Sequence, residues 1–89
     1  MVTVSFTPHL QRHLHIASAT TPPGTLRTVL DHVFATHPGL RSYLLDDQGG
    51  VRHHLAIFIN GETALDRRTL ADPVPDAAEV HILQALSGG

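Results

Sequence analysis

Cysteine and lysine are both absent from the 89 residues. The first absence excludes a disulfide scaffold, a thiolate zinc site and a cysteine nucleophile, so any nucleophile of the chain's own is an oxygen or an imidazole. The second excludes lysine-dependent chemistry, because all six basic residues are arginines. Charge of one sign is scarce too. A formal net charge of −2 gives little electrostatic drive toward a nucleic-acid backbone or an anionic membrane, and neither is expected as a partner. No apolar run is long enough to span a bilayer, and the opening Met-Val-Thr-Val-Ser-Phe carries no basic targeting segment. A soluble cytoplasmic protein is the expectation. Internal repeats and glycine-rich phosphate cradles are also missing.

What is present suffices for one core. Hydrophobic residues make up 42% and charged residues 16%, a balance that disordered chains lack, and the length allows a single domain without staples. Val2, Val4 and Phe6 alternate with Thr3 and Ser5, the period of a strand with one buried face, and Pro8 is expected to end it. A second alternation, with Leu14 and Ile16 on one face and His13 and His15 on the other, predicts the return strand of a hairpin. Thr20-Thr21-Pro22-Pro23-Gly24 is expected to turn rather than extend. From Leu26 the period changes: Leu26, Val29, Leu30, Val33 and Phe34 recur at spacings of three and four, with Thr25 at the N-cap and His37-Pro38-Gly39 as the stop. That predicts an amphipathic helix lying across the sheet.

Leu40, Leu44 and Leu45 then read as anchors in a connector, followed by the polar turn from Asp46 to Gly50. Residues 51–59 predict a strand with Leu55, Ile57 and Ile59 on one face and Ala56 and Phe58 on the other, closed by Asn60-Gly61. Residues 66–78 read as irregular, with Leu70 buried and Arg67-Arg68 solvated. Residues 79–84 predict the last strand, Val80 and Ile82 inward, His81 and Leu83 outward. A right-handed crossover through the helix places this strand beside the first and parallel to it. The result is an α+β chain with a β-grasp, or ubiquitin-like, layout: a domain over residues 1–84 and a flexible tail over residues 85–89.

The stretches Thr25–Leu30, His37–Arg41, His54–Glu62, Ala78–Leu83 and Leu86-Ser87-Gly88-Gly89 together resemble the MoaD/ThiS family of ubiquitin-like sulfur carriers over essentially the whole chain. The long connector from Leu40 to Arg52 is similar to that of the longer, CysO-like or MoaD-like members. The terminal glycine pair is the specific part, since two glycines in the last two places arise by chance in roughly one chain in 200. Glycine has no Cβ to obstruct threading through a narrow channel, and it leaves the carbonyl carbon unhindered.

The resemblance implies that a partner adenylyltransferase, similar to ubiquitin-activating enzymes, uses ATP to adenylate the carboxylate of Gly89, with Gly88 as the hinge. A sulfur donor then converts the acyl-adenylate to a thiocarboxylate, and a downstream synthase receives the sulfur, in cofactor, cysteine or other metabolite biosynthesis. The chain is then a protein cosubstrate rather than an enzyme, and it binds no cofactor itself. Docking is expected on the outward sheet face through Phe58 and Leu83, continued by Leu86 and Ser87 in the tail. Two other readings use the same residues: a modifier joined to target lysines through the terminus, restricted to single additions because the chain has no lysine, or an interaction module whose tail docks without reacting. The eight histidines invite a metal reading, but no carboxylate is placed beside His13, His15, His53 or His54 by the sequence, and solvated imidazoles are expected.

Overall fold

The computed structural model describes residues 1–16 and 18–84, without the side chains of His9, His13 and Leu14. In chain order the elements are β1 (Val2–Phe6), α1 (Pro8–Leu14), β2 (Ser18–Thr21), β3 (Gly24–Thr25), α2 (Leu26–Thr36), α3 (Gly39–Leu44), β4 (Leu55–Ile59), β5 (Glu62–Thr63), β6 (Pro73–Val74) and β7 (Glu79–Gln84). A five-stranded mixed sheet has the order β2-β1-β7-β4-β5, and β3 with β6 forms a short second ladder. β1 and β7 run parallel, with Val4 opposite Val80 and Phe6 opposite Ile82; the other neighbours are antiparallel. The last strand therefore sits in the middle of the sheet beside the first, as a β-grasp fold requires.

Alternation along the strands sorts the side chains into two faces. Val2, Val4 and Phe6 of β1, Leu55 and Ile57 of β4, and Val80 and Ile82 of β7 are all buried on the inner face. Across them lies α2, whose buried residues are the five that its spacing predicts, Leu26, Val29, Leu30, Val33 and Phe34. Its start is held twice. Thr25 Oγ1 accepts from the Thr28 amide at 3.3 Å, and Thr28 Oγ1 accepts from the Thr25 amide at 3.1 Å, a reciprocal cap. The amides of Leu26 and Arg27, which the helix leaves unpaired, donate to the carbonyls of Asp72 and Leu70, each at 2.9 Å.

Four expectations need correction. The alternation read over residues 13–17 is not a strand at residues 13–16, and Ala17 lies outside the described residues. Thr7 and Pro8 start α1, Pro8 occupying a first-turn position where its missing amide costs nothing, and His15 closes the helix in the left-handed region at φ 56°. His13 and His15 thus do not share a strand face. The return strand lies further on, and Thr20 and Thr21 belong to it, paired with Thr3 and Val2; Thr21 is buried. Residues 39–44 of the connector are helical, because Leu40 and Leu44, four apart, both turn into the core. Finally, Arg67 is not a solvated charge: its guanidinium donates to the carbonyls of Arg52 at 2.7 Å and Leu55 at 2.6 Å, clamping the approach to β4.

Carboxylates organise the loops in the same way. Asp72 accepts from the amides of Leu65 and Asp66 at 2.9 and 2.8 Å, and Asp46 accepts from those of Gln48 and Gly50 at 2.9 and 3.0 Å. Asp66 accepts from the Thr69 hydroxyl and from the amides of Arg68, Thr69 and Ala71. These bonds hold Leu70 in the left-handed region at φ 58° with its side chain buried, the anchor its apolar character predicts.

Candidate functional site

The helices cover one face of the sheet, so the other is the surface on which a partner can act. Its side chains are Thr3 and Ser5 from β1, Glu79, His81 and Leu83 from β7, and Ala56 and Phe58 from β4. The register sets His81 opposite Phe58 and Leu83 opposite Ala56, while Ser5 lies beside His81 on the other flank. Phe58 and Leu83 are therefore diagonal neighbours on the outward face, as predicted, and both are half-buried rather than fully exposed. Thr63 of β5 stands opposite Phe58 on its far side.

Charge on this face is sparse. All six arginines fall in α1, α2, α3 or the loops, never in a strand. Glu79 is the one carboxylate at the outward positions of β1, β4 and β7, and its Oε1 lies 3.5 Å from Nε2 of His81. Asn60 fixes the lower end of β7: its amide donates to the Glu79 carbonyl at 2.8 Å, and its side-chain oxygen accepts from the Glu79 amide at 2.9 Å. Asn60 at φ 51° and Gly61 at φ 84° form the tight turn between β4 and β5, which the Asn-Gly pair predicts. Asn60's second role, as a clip on β7, was not legible, since it depends on strand order.

The body offers little for catalysis. Three carboxyls are displaced from their ordinary range, all downward: Asp66 by the Thr69 hydroxyl and then by amides, Asp46 by the amides of Gln48 and Gly50, Asp76 by the Met1 amine. A carboxyl held ionised in this way is the reverse of what a general acid needs. His54 packs edge-on against Tyr43 and His53, at centroid distances of 6.4 and 6.0 Å. Among the described residues no three histidine, aspartate or glutamate side chains come together as a metal site, and no helix is long and apolar enough to cross a membrane. Leu86, Ser87, Gly88 and Gly89 lie outside the described residues.

With this geometry in view, the chain can be set against known proteins. The family model described as the ThiS family matches residues 13–89. The chain belongs to the ThiS family. ThiS-like carriers are small proteins that are acted upon rather than catalysts, and the family's fold is that of a ubiquitin-like sulfur carrier or modifier. Among solved structures, this ThiS-family chain is similar to CysO of Amycolatopsis orientalis, solved in a complex with BexX, at 26% identity and a TM-score of 0.84 over 100% of both chains. CysO of Mycobacterium tuberculosis, described as an antigen, matches at 28% identity and a TM-score of 0.82, covering 97% of this chain and 100% of the other. SAMP1 of Haloferax volcanii shares the fold at 22% identity and a TM-score of 0.78, over 99% of this chain and 98% of that one. No curated protein sequence matches the chain.

Proposed function

We propose that this ThiS-family protein is a sulfur carrier whose reacting group is the carboxylate of Gly89. A partner adenylyltransferase attacks ATP with that carboxylate, giving the acyl-adenylate and pyrophosphate. A sulfur donor then displaces AMP and leaves a thiocarboxylate, which a synthase uses as its sulfur source. ATP is the partner's cosubstrate, and the chemistry belongs in the cytosol, where ATP is available. The observation that carries this reading is the family membership together with the Gly88-Gly89 pair a few residues beyond the central strand β7 in the sequence.

The body's role follows from what its residues do. Phe58 and Leu83, diagonal on a face that carries no arginine, supply an apolar contact that positions the carrier, with Leu86 and Ser87 extending it along the tail. Gly88 removes the Cβ that would obstruct a narrow channel, and Gly89 leaves the carbonyl carbon open to the sulfur nucleophile. CysO of Amycolatopsis orientalis is found in complex with BexX, which supports engagement of this fold by a second protein.

The test is made on the intact protein with its activating enzyme. Deleting Gly89 should abolish ATP–pyrophosphate exchange and leave the melting temperature unchanged; exchange that survives the deletion overturns the proposal. Protein isolated with its pathway enzymes should show, by intact mass, one oxygen replaced by sulfur, confined to the C-terminal peptide. Alkylation should label that group although the chain has no cysteine. A ladder of reductant-resistant conjugates with no sulfur-bearing form would instead identify a lysine-directed modifier. Neither product would leave a docking module.

A further inference from the structure

The chain distributes its charges unevenly, and the fold turns that into a difference between the two ends of the sheet. No aspartate or glutamate falls within residues 1–30, 48–61 or 80–89. β1 ends, β4 begins and β7 ends at one end of the sheet, where Phe6 stands beside Ile82 and Leu55 opposite Gln84. That end is therefore built from the carboxylate-free segments, with α1 following β1 and residues 52–54 leading into β4. It carries Arg12, Arg52 and Arg67 together with the imidazoles of His15, His53 and His54. Arg67 is fixed there by its bonds to the carbonyls of Arg52 and Leu55. The opposite end, where β4 finishes and β7 begins, holds Glu62, Asp76 and Glu79 and no arginine.

The positive end is not neutralised from within. Among the described residues the ion pairs are those of Met1 with Asp76 and of His81 with Glu79, and no arginine takes part in one. Asp46 and Asp66 are turned into their own loops, accepting from the amides of Gln48 and Gly50 and of Arg68, Thr69 and Ala71. Asp47 shares a recess with two arginines, Arg41 and Arg52. Arg12 and His53 are exposed. β7 reaches Gln84 at this same end, and Gly89 is five residues further along the chain, at most about 17 Å away if extended. When a channel takes in those residues extended, the cations of the body stay at its mouth.

We infer that this end of the body, with Arg12 and His53 foremost, docks against an acidic surface of the activating enzyme that surrounds the mouth of its channel. Charge arranged in this way also orients the approaching carrier, since an acidic mouth draws the end from which β7 leaves the sheet more strongly than the end that holds Glu62, Asp76 and Glu79. The contact differs in kind from that of Phe58 and Leu83. Apolar burial on the outer face holds the docked pose, whereas the charged end selects the encounters in which the glycines lead. This rests on the adenylation reading above, which supplies the partner.

The experiment compares wild type with a double variant, Arg12→Glu with His53→Glu, in steady-state adenylation with the carrier as varied substrate, at about 50 mM and about 500 mM NaCl. The expected result is an unchanged melting temperature and kcat, with a KM for the carrier about tenfold higher at low salt. Added salt should raise the KM of wild type and leave that of the variant unchanged or lowered. Arg12→Gln with His53→Gln serves if the charge-reversed protein does not fold, with a smaller rise in KM. Glu62→Arg, which alters the net charge from the far end, should change KM by less than about twofold. An unaltered KM in the double variant overturns the inference, and so does a raised KM with the salt dependence of wild type, because the contact would then not be ionic. A fall in KM with Glu62→Arg as large as the rise in the double variant overturns it too, assigning the effect to net charge. Wild type that is not adenylated at all overturns the carrier reading and this inference with it, whereas adenylated wild type with an indifferent variant overturns this inference alone.

Discussion

The two faces of the sheet are written by the same strands yet differ in kind. On the inner face, every strand position from Val2 to Phe6 and from Val80 to Ile82 that points to the helices is aliphatic or aromatic and fully buried. On the outer face the same strands carry threonine, serine, one glutamate, one histidine and three half-buried apolar residues, Ala56, Phe58 and Leu83. The contrast teaches a division of labour: residue size and packing determine the fold on one side, while the other is released from that demand and is open to recognition.

Substitutions on opposite faces should separate stability from binding. The largest effect is expected inside. Leu30→Ala, at a position 1% exposed beneath the sheet, should cost about 2–5 kcal/mol in urea unfolding, through lost burial and the cavity left behind. Outside, Phe58→Asp should leave the urea midpoint close to wild type, since its cross-strand neighbours are Thr63 and His81, while binding to the activating enzyme weakens by about 1–2 kcal/mol. A Phe58→Asp protein that unfolds would mean that the outer face, too, holds the fold together.

Two smaller effects concern neither face. Thr25→Ala removes one acceptor from the reciprocal cap of α2 and should cost about 1 kcal/mol by chemical denaturation, with binding unaltered. Asp66 gives the smallest and the only pH-dependent effect. Its native carboxyl is held far below the unfolded value of 3.8, chiefly by the Thr69 hydroxyl. The carboxylate's contribution is therefore complete above that value and declines as the pH falls below it. Asp66→Asn should trail wild type in melting temperature at pH 7, and the gap should close on acidification below about pH 4. A gap constant with pH would assign the loss to something other than the charge.

How far these elements were legible in the sequence depends on their length and on what terminates them. α2 has eleven residues and a threonine cap, enough turns for the spacing of three and four to be unmistakable. α1 has seven and α3 six, too few for a period to establish itself, and both begin at or just after a proline, which reads equally well as a strand's end. The spacing of Leu40 and Leu44 was the signal for α3. The outward placement of Phe58 and Leu83 follows from alternation alone, because a period of two leaves only one choice once the inner residues are known. Asn60 could not be found that way. Its role as a clip depends on which strand lies alongside β7, a fact that exists only after the chain has crossed over.

The central place of β7 also has a mechanical consequence. Its end leads into the tail, and it is flanked by β1 over residues 79–82 on one side and by β4 over residues 80–84 on the other. Tension applied to the C-terminus runs along this strand, so both ladders are loaded in shear and many hydrogen bonds must yield together. An edge strand would instead peel away one bond at a time. On the proposed reading, an enzyme that draws the glycine end into a tight channel can therefore pull on it without unravelling the body to which it is attached.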